Sequence, residues 1–240
     1  MSLLKSNRLA SLASAGVESL VPRLCFLCGG RGRGSAQRLC PACERHLPEK
    51  PVASCPVCAL PSVNDLVCGR CQRETPAFDA TTALHLYAFP VDRMVQALKY
   101  RGDMSIASYF GLHLSRALPS SDYDLVVPMP LHVRRLRERG FNQAAEIARR
   151  LAEAQGLLLD VEAVRRIVDT PSQADLPWRD RKANMRGAFV CDRPLEGRRV
   201  LVVDDVMTTG ASLNALARAL KTAGALRVDN LVVARTPPPG

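Results

Sequence analysis

The chain has 240 residues, of which 47% are hydrophobic and 5% aromatic, and it carries a formal net charge of +10. That length and composition suit one large domain, or one domain with an appendage, around a real core. No apolar run approaches the roughly 20 residues that a membrane helix needs, which excludes a helical membrane span, and the basic balance points toward an anionic ligand or nucleic acid.

Residues 1–20 carry Lys5 and Arg8 among scattered Leu and Ala. Asn7, Arg8, Ser11, Ser14 and Glu18 break any continuous apolar stretch, so an opening amphipathic helix is expected rather than an export signal. The expected location is cytoplasmic.

Eight of the nine cysteines then form four Cys-x-x-Cys knuckles: Cys25/Cys28, Cys40/Cys43, Cys55/Cys58 and Cys68/Cys71. Two thiolates at this spacing hold one metal ion from a tight turn, and two knuckles complete a tetrahedral site. Sequential pairing makes one site from Cys25, Cys28, Cys40 and Cys43, and another from Cys55, Cys58, Cys68 and Cys71; interleaved pairing is the alternative. Four thiolates leave no open position, so two structural Zn²⁺ ions are expected. His46 reads as a surface histidine and Cys191 as a strand residue. Pro48, Pro51, Pro61 and Pro76 punctuate this stretch, and residues 1–78 are expected to form a helix plus double zinc-ribbon module.

From residue 79 to 240 the pattern becomes alternating strand and helix. Ala80–Phe89 reads as a strand or two, Val91–Tyr100 and Ile106–Leu118 as helices, and Leu125–Val127 as a buried strand. Asn142–Ala154 reads as a helix capped by Asn142, with Gly156 near its end. Val161–Val168, Gly187–Cys191, Val200–Val203 and Arg227–Ala234 read as strands. This alternation predicts an α/β fold: a mostly parallel sheet with helices on both faces.

One segment carries the chemistry. Val200–Val203 is a continuous apolar run, as a central parallel strand requires. Asp204 and Asp205 follow at its carboxyl end, where open α/β sheets bind ligands. Met207, Thr208, Thr209, Gly210, Ala211 and Ser212 then form a short polar turn into a helix with apolar residues at Leu213, Leu216, Ala217 and Leu220. A glycine turn before a helix N-terminus suits a phosphate. Upstream, Met129, Pro130, Leu131 and His132 follow the Leu125–Val127 strand. Pro128 and Pro130 have no N–H, which leaves Met129, Leu131 and His132 as donors. Lys99, Arg101, Arg135, Arg139 and Arg181 are candidate contacts to phosphate or nucleic acid; solvated helix ends are the plainer account of the Arg134–Arg139 cluster and of Lys99.

Strand, paired acids and the Thr-Thr-Gly-Ala-Ser loop together resemble the signature of type I phosphoribosyltransferases. Further segments widen the resemblance: Leu98–Asp103, Arg135–Gln143, Pro171–Gln173, Arg181, Asn184 and Gly187–Phe189, together with the double knuckle. On these motifs the chain is similar to the ComF/GntX family over roughly residues 20–235. The resemblance implies a zinc-ribbon module joined to a phosphoribosyltransferase-type domain that binds phosphoribosyl pyrophosphate (PRPP) with Mg²⁺. It implies that Asp204 and Asp205 grip the ribose hydroxyls, that residues 207–212 hold the 5′-phosphate, that residues 129–132 touch pyrophosphate, and that residues 170–186 form a lid. It further implies phosphoribosyl transfer to an unidentified acceptor and a link to DNA uptake in natural transformation. Two other roles compete: a non-catalytic protein that handles single-stranded DNA on the same fold, and a zinc module that docks DNA-uptake proteins.

Overall fold

The computed structural model describes residues 24–30, 38–118, 122–169 and 187–237. The opening helix expected over residues 1–20 and the lid expected at 170–186, with Trp178 and Arg181, lie outside these residues. The chain divides into two compact units, 1–47 and 48–240.

In the first unit the Cys25–Gly30 segment turns back on itself. Cys25 N–H donates to the Gly30 carbonyl at 2.7 Å, and Gly29 N–H to the Cys25 carbonyl at 2.9 Å. Gly29 has φ +69°, a conformation that favours glycine. The second knuckle opens helix α1 (Pro41–Arg45), with Pro41 in its first turn and Cys40 as its cap. Leu39 and Leu47 are buried beside it.

The second unit begins with the other knuckle pair, which includes a 3₁₀ turn (Val63–Asp65) and helix α2 (Gly69–Arg73). There follow β1 (Ala80–Leu86), α3 (Val91–Arg101), α4 (Met104–Arg116), β2 (Leu125–Pro128), α5 (Val133–Arg139) and α6 (Gln143–Gln155). The chain then continues through β3 (Val164–Arg166), β4 (Phe189–Cys191), β5 (Arg199–Met207), α7 (Ala211–Thr222) and β6 (Arg227–Arg235). The main sheet runs β1-β6-β5-β2 and is parallel throughout. Every residue from Val200 to Asp205 is buried, so both sheet faces are covered. Successive side chains of a strand point to opposite faces; Val200 and Val202 share a core with Leu213, Leu216 and Leu220 of α7. Helices α4 and α6 pack on each other, with α6 against β5 and β2.

Three expectations are corrected. The 161–168 strand shrinks to Val164–Arg166 and pairs antiparallel with β4, outside the main sheet. The basic run at 134–139 is a helix of its own, between His132 as cap and Gly140 at φ +82°. The boundary expected at residue 78 falls inside the second unit, because the second ribbon is built into its core. Cys55, Cys58, Cys71 and Phe78 bury with Leu213, Leu216 and Val232. The ribbon also covers the β1 edge: Thr81 N–H donates to the Pro56 carbonyl at 3.0 Å and Leu86 N–H to the Pro48 carbonyl at 3.3 Å. An edge strand left open exposes unpaired backbone groups, and this one is occupied.

Candidate active site

Strand β5 outlasts its neighbour β2. Their pairing ends at Pro128 opposite Val203, and Met129 N–H adds one more bond to the Val203 carbonyl at 2.8 Å. Asp204 and Asp205 therefore stand just past the carboxyl end of β2, beside residues 129–132. Both are buried. Asp205 N–H donates to Asp204 Oδ1 at 2.8 Å, which fixes the first carboxylate against the strand. Lys99 Nζ lies 3.0 Å from Asp205 Oδ1. Asp205 Oδ2 is buried without a hydrogen-bond partner among the described residues.

Burial, reinforced by the Asp205 carboxylate, pushes the Asp204 carboxyl up to about 8. Like charges this close in a dry site resist double ionisation. Burial alone would lower the Lys99 ammonium, but Asp205 and Asp204 outweigh it and raise it. At neutral pH the group thus holds one proton on Asp204 and an ion pair between Asp205 and Lys99. Lys99 is not the solvated cation that its place near a helix end suggests. Arg166 of β3 also feels this field: burial and the nearby Arg135 guanidinium lower its pKa, and the carboxyls of Asp204 and Asp169 oppose the shift.

The turn after β5 is tight. Gly210 has φ +84° and caps α7. A Cβ at Gly210 would come 2.6 Å from Met207 Cε, the movable end of a flexible side chain, so it is the left-handed conformation that requires glycine. Ala211 N–H donates to Thr209 Oγ1 at 3.2 Å. Helix α7 aims its N-terminal dipole at this turn. Residues 204–212 are thus one acidic step followed by one anion-compatible turn.

The 129–132 segment departs from expectation at one residue. Met129 N–H is spent on Val203, so Leu131 and His132 remain as its donors. Asn142 fixes the segment: its Nδ2 donates to the Met129 carbonyl at 3.0 Å while its Oδ1 caps α6 at Ala144 and Ala145. His132 Nδ1 accepts from Arg134 N–H at 3.4 Å and lies 3.5 Å from Asp169. Arg139 bonds Gln143 and sits over the Tyr100 ring at 5.8 Å. Arg135 lies on α5, and Arg101 is exposed at the end of α3. Lys99 is thus drawn into the acid pair while Arg101 stays outside it.

The cysteines gather in sequential pairs, which settles the pairing. Cys25, Cys28, Cys40 and Cys43 form one group and Cys55, Cys58, Cys68 and Cys71 the other, with all sulfurs of a group within 4.8 Å of one another. Zinc–sulfur bonds of about 2.3 Å in a tetrahedron place sulfurs about 3.8 Å apart. Cys28 and Cys40 sulfurs lie 3.8 Å apart, and those of Cys58 and Cys68 lie 3.6 Å apart. Cys40 N–H donates to Cys25 Sγ and Cys68 N–H to Cys55 Sγ, each at 3.3 Å, as thiolate ligands accept. Burial raises the Cys25 thiol, but backbone donors at Cys40, Cys28 and Leu27 prevail and bring it down to about 6. Burial and the neighbouring sulfurs push Cys43 up to about 12. Without a cation the four sulfurs cannot all ionise, and a divalent ion removes that conflict. His46 is exposed, outside both groups.

Arg235 was not singled out from sequence. It is 1% exposed, and its guanidinium bonds the carbonyls of Met207 and Thr208 in the turn after β5. The one signal in the sequence is an arginine continuing the apolar run Leu231–Ala234.

Residues 136–238 match the phosphoribosyl transferase domain family, and residues 16–72 match the double zinc ribbon domain family. The chain is 32% identical over 224 residues to DNA utilization protein YhgH of Salmonella typhimurium, covering 90% of this chain and 98% of that one. It is 27% identical over 222 residues to Competence protein F of Haemophilus influenzae, covering 88% and 96%. Among solved structures it is similar to adenine phosphoribosyltransferase from Thermoanaerobacter pseudethanolicus, at 21% identity and a TM-score of 0.37, over 56% of this chain and 83% of that one. No helix among the described residues is long and apolar enough to cross a membrane.

Proposed function

Because the chain belongs to the ComF/GntX family, which joins a double zinc ribbon to a phosphoribosyltransferase domain, we propose that its second unit binds PRPP with Mg²⁺ and transfers the phosphoribosyl group to an acceptor. The single observation that carries this reading is the buried Asp204–Asp205 step at the end of β5, directly followed by the Gly210 turn into α7.

In this reading the two carboxylates hold the ribose 2′ and 3′ hydroxyls, and residues 207–212 hold the 5′-phosphate. An arriving phosphate oxygen takes the Ala211 N–H from Thr209 Oγ1. Leu131 and His132 face pyrophosphate, with Arg135 and Arg139 of α5 as further cations. The partnerless Asp205 Oδ2 is the kind of hard oxygen donor that suits Mg²⁺. When bound, Mg²⁺ supplies charge neutralisation on the departing pyrophosphate.

The reaction breaks the bond between C1 and the pyrophosphate oxygen, which leaves with the electron pair, and forms a bond from C1 to the acceptor. Positive charge builds on the ring as the first bond lengthens. The Asp205 carboxylate is fixed in a water-poor site, so it needs no reorganisation to stabilise that charge. Lys99, 3.0 Å from Asp205 Oδ1, holds that carboxylate in place until ligand arrives.

The relatives named for DNA utilization and competence support a role for this chain in the uptake or use of DNA. Among the described residues the exposed Arg137 of α5, with the half-buried Arg135 near it, offers basic surface suited to a DNA backbone, and such binding falls steeply with salt. Release of pyrophosphate separates a transferase from a protein that only binds.

The test is calorimetry with PRPP and Mg²⁺ on the wild type, Asp204→Asn and Asp205→Asn, together with a pyrophosphate-release assay over a panel of bases and amines. Each carboxamide variant is expected to lose on the order of a hundredfold in turnover. Unchanged PRPP affinity in both variants overturns the assignment.

A further inference from the structure

Arg235 ends β6 directly opposite Met207. Its Nη1 donates to the carbonyls of Met207 at 2.9 Å and Thr236 at 2.8 Å, and to that of Thr208. Its Nε donates to the carbonyl of Cys58 at 2.8 Å. Cys58 is a member of the second four-thiolate group, and Met207 and Thr208 open the turn into α7. One guanidinium thus holds the backbone of a metal knuckle and the backbone of the anion turn.

The bonds to the turn have a directional consequence. In a trans peptide the N–H points opposite to its own carbonyl. Drawing the Met207 and Thr208 carbonyls onto Arg235 turns the next two N–H groups, those of Thr208 and Thr209, away from the guanidinium. Arg suits this task because it stays charged and offers several donors in a rigid fork. Lysine has the charge without the fork; glutamine has neither the charge nor enough donors.

A second link joins the same partners. Ala77 N–H, just past the second ribbon, donates to Asn214 Oδ1 in the first turn of α7 at 2.7 Å. Between the two links lies a cavity of about 340 Å³, lined by Cys58, Cys71 and Phe78 on one side and Thr209, Gly210 and Asn214 on the other.

We propose that Arg235 is a positioning residue that shapes the 207–212 turn for phosphate and couples it to the metal held by Cys55, Cys58, Cys68 and Cys71. This rests on the reading of that turn as the phosphate site. The coupling runs both ways: zinc in the second group tightens anion binding, and an anion in the turn tightens zinc, because linkage between two sites is reciprocal.

The experiment follows zinc release from the full-length chain to a chromophoric chelator, with and without saturating PRPP and Mg²⁺. A Cys28→Ser/Cys43→Ser variant identifies which kinetic phase belongs to the second group. PRPP is expected to tighten second-group zinc by roughly tenfold in equilibrium competition with the chelator, within the usual range of coupling between sites, and to slow that phase. Arg235→Gln is expected to weaken PRPP binding by about tenfold or more and to abolish the slowing, with Arg235→Lys between the two. A purely structural arginine would lower stability without linking zinc release to PRPP. Should Arg235→Gln fail to fold, Arg235→Lys tests the arginine and the wild-type protein tests the coupling. Wild-type protein that binds PRPP yet holds second-group zinc with unchanged affinity in that competition overturns the coupling alone. Wild-type protein that binds no PRPP overturns the phosphate reading and this inference with it.

Discussion

Lys99 and Asp205 meet at 3.0 Å across the carboxyl edge of the sheet, one from the last turn of α3 and the other from β5. The lysine side chain is 22% exposed and the aspartate 5%, so water screens the pair only on one side. The Lys99 ammonium is the counter-charge that the Asp205 carboxylate meets in this buried place. Replacing Lys99 by Met leaves that charge without its partner. The expected loss of folding stability is about 2–3 kcal/mol, somewhat under the cost of breaking a fully buried pair. The Lys99→Met/Asp205→Asn double variant is expected to lose about 1–3 kcal/mol less than the sum of the single losses. Urea denaturation at pH 7 measures all four proteins, and strict additivity would show that the pair does not act as one.

Asp204 sets a pH dependence. Its carboxyl titrates at about 8 in the folded chain, against 3.8 for the free group. Between those values the folded state binds more protons than the unfolded one, so stability falls as pH rises. The contribution is complete below about pH 4 and is lost through pH 8. Asp204→Asn keeps an acceptor for Asp205 N–H and cannot ionise. It is therefore expected to raise Tm more at pH 9 than at pH 5, by roughly 2–4 °C for each kcal/mol relieved. Binding of PRPP with Mg²⁺ to the wild type is expected to strengthen over pH 6–9 as Asp204 releases its proton. Thermal scans and calorimetry at the same pH values check both trends.

Local features were legible and long-range ones were not. The four apolar residues before Asp204 announce a central strand, since a strand covered on both faces has no polar alternation to show. Asn142 announces a helix cap through its short acceptor side chain. The Cys-x-x-Cys spacing announces metal knuckles, though not which knuckles pair. Lys99 looked like a helix-end cation because its partner is far away in the chain. Arg235 was hidden for the same reason: its acceptors are carbonyls, which every residue has. The 48–78 ribbon looked separable because it has little hydrophobic periodicity. Its thiols and Phe78 nonetheless bury against α7, and its backbone covers β1.

That burial makes the second metal group part of the folding of the second unit. Elemental analysis is expected to find two zinc ions per chain. Cys71→Ser should retain one and should lower Tm strongly, because Cys71 is 5% exposed in the core shared with Leu213 and Val232. Loss of at least about 3 kcal/mol is expected, corresponding to a Tm fall of roughly 6–12 °C. Full zinc occupancy in Cys71→Ser would mean that the group does not bind metal through this sulfur.

Gly111 tests the helical layer on the other side of the sheet. It lies within α4 and faces α6 at close range. In an isolated helix, Gly→Ala gains about 1 kcal/mol through reduced backbone entropy. Here an added Cβ would stand 2.7 Å from the Ile147 carbonyl oxygen and 2.6 Å from Arg150 Cβ. A backbone carbonyl cannot rotate aside, so α4 and α6 must separate. Their separation loosens Ile147 and Leu151, both fully buried. The clash outweighs the propensity gain, and Gly111→Ala is expected to lose about 1–3 kcal/mol. Ser108→Ala on the same helix is the control: its hydroxyl bonds the Met104 carbonyl of the preceding turn, at 3.3 Å, and its removal is expected to be neutral or slightly stabilising. Denaturation midpoints compare the two variants, and a Gly111→Ala protein as stable as the wild type would show that the two helices are not held this close.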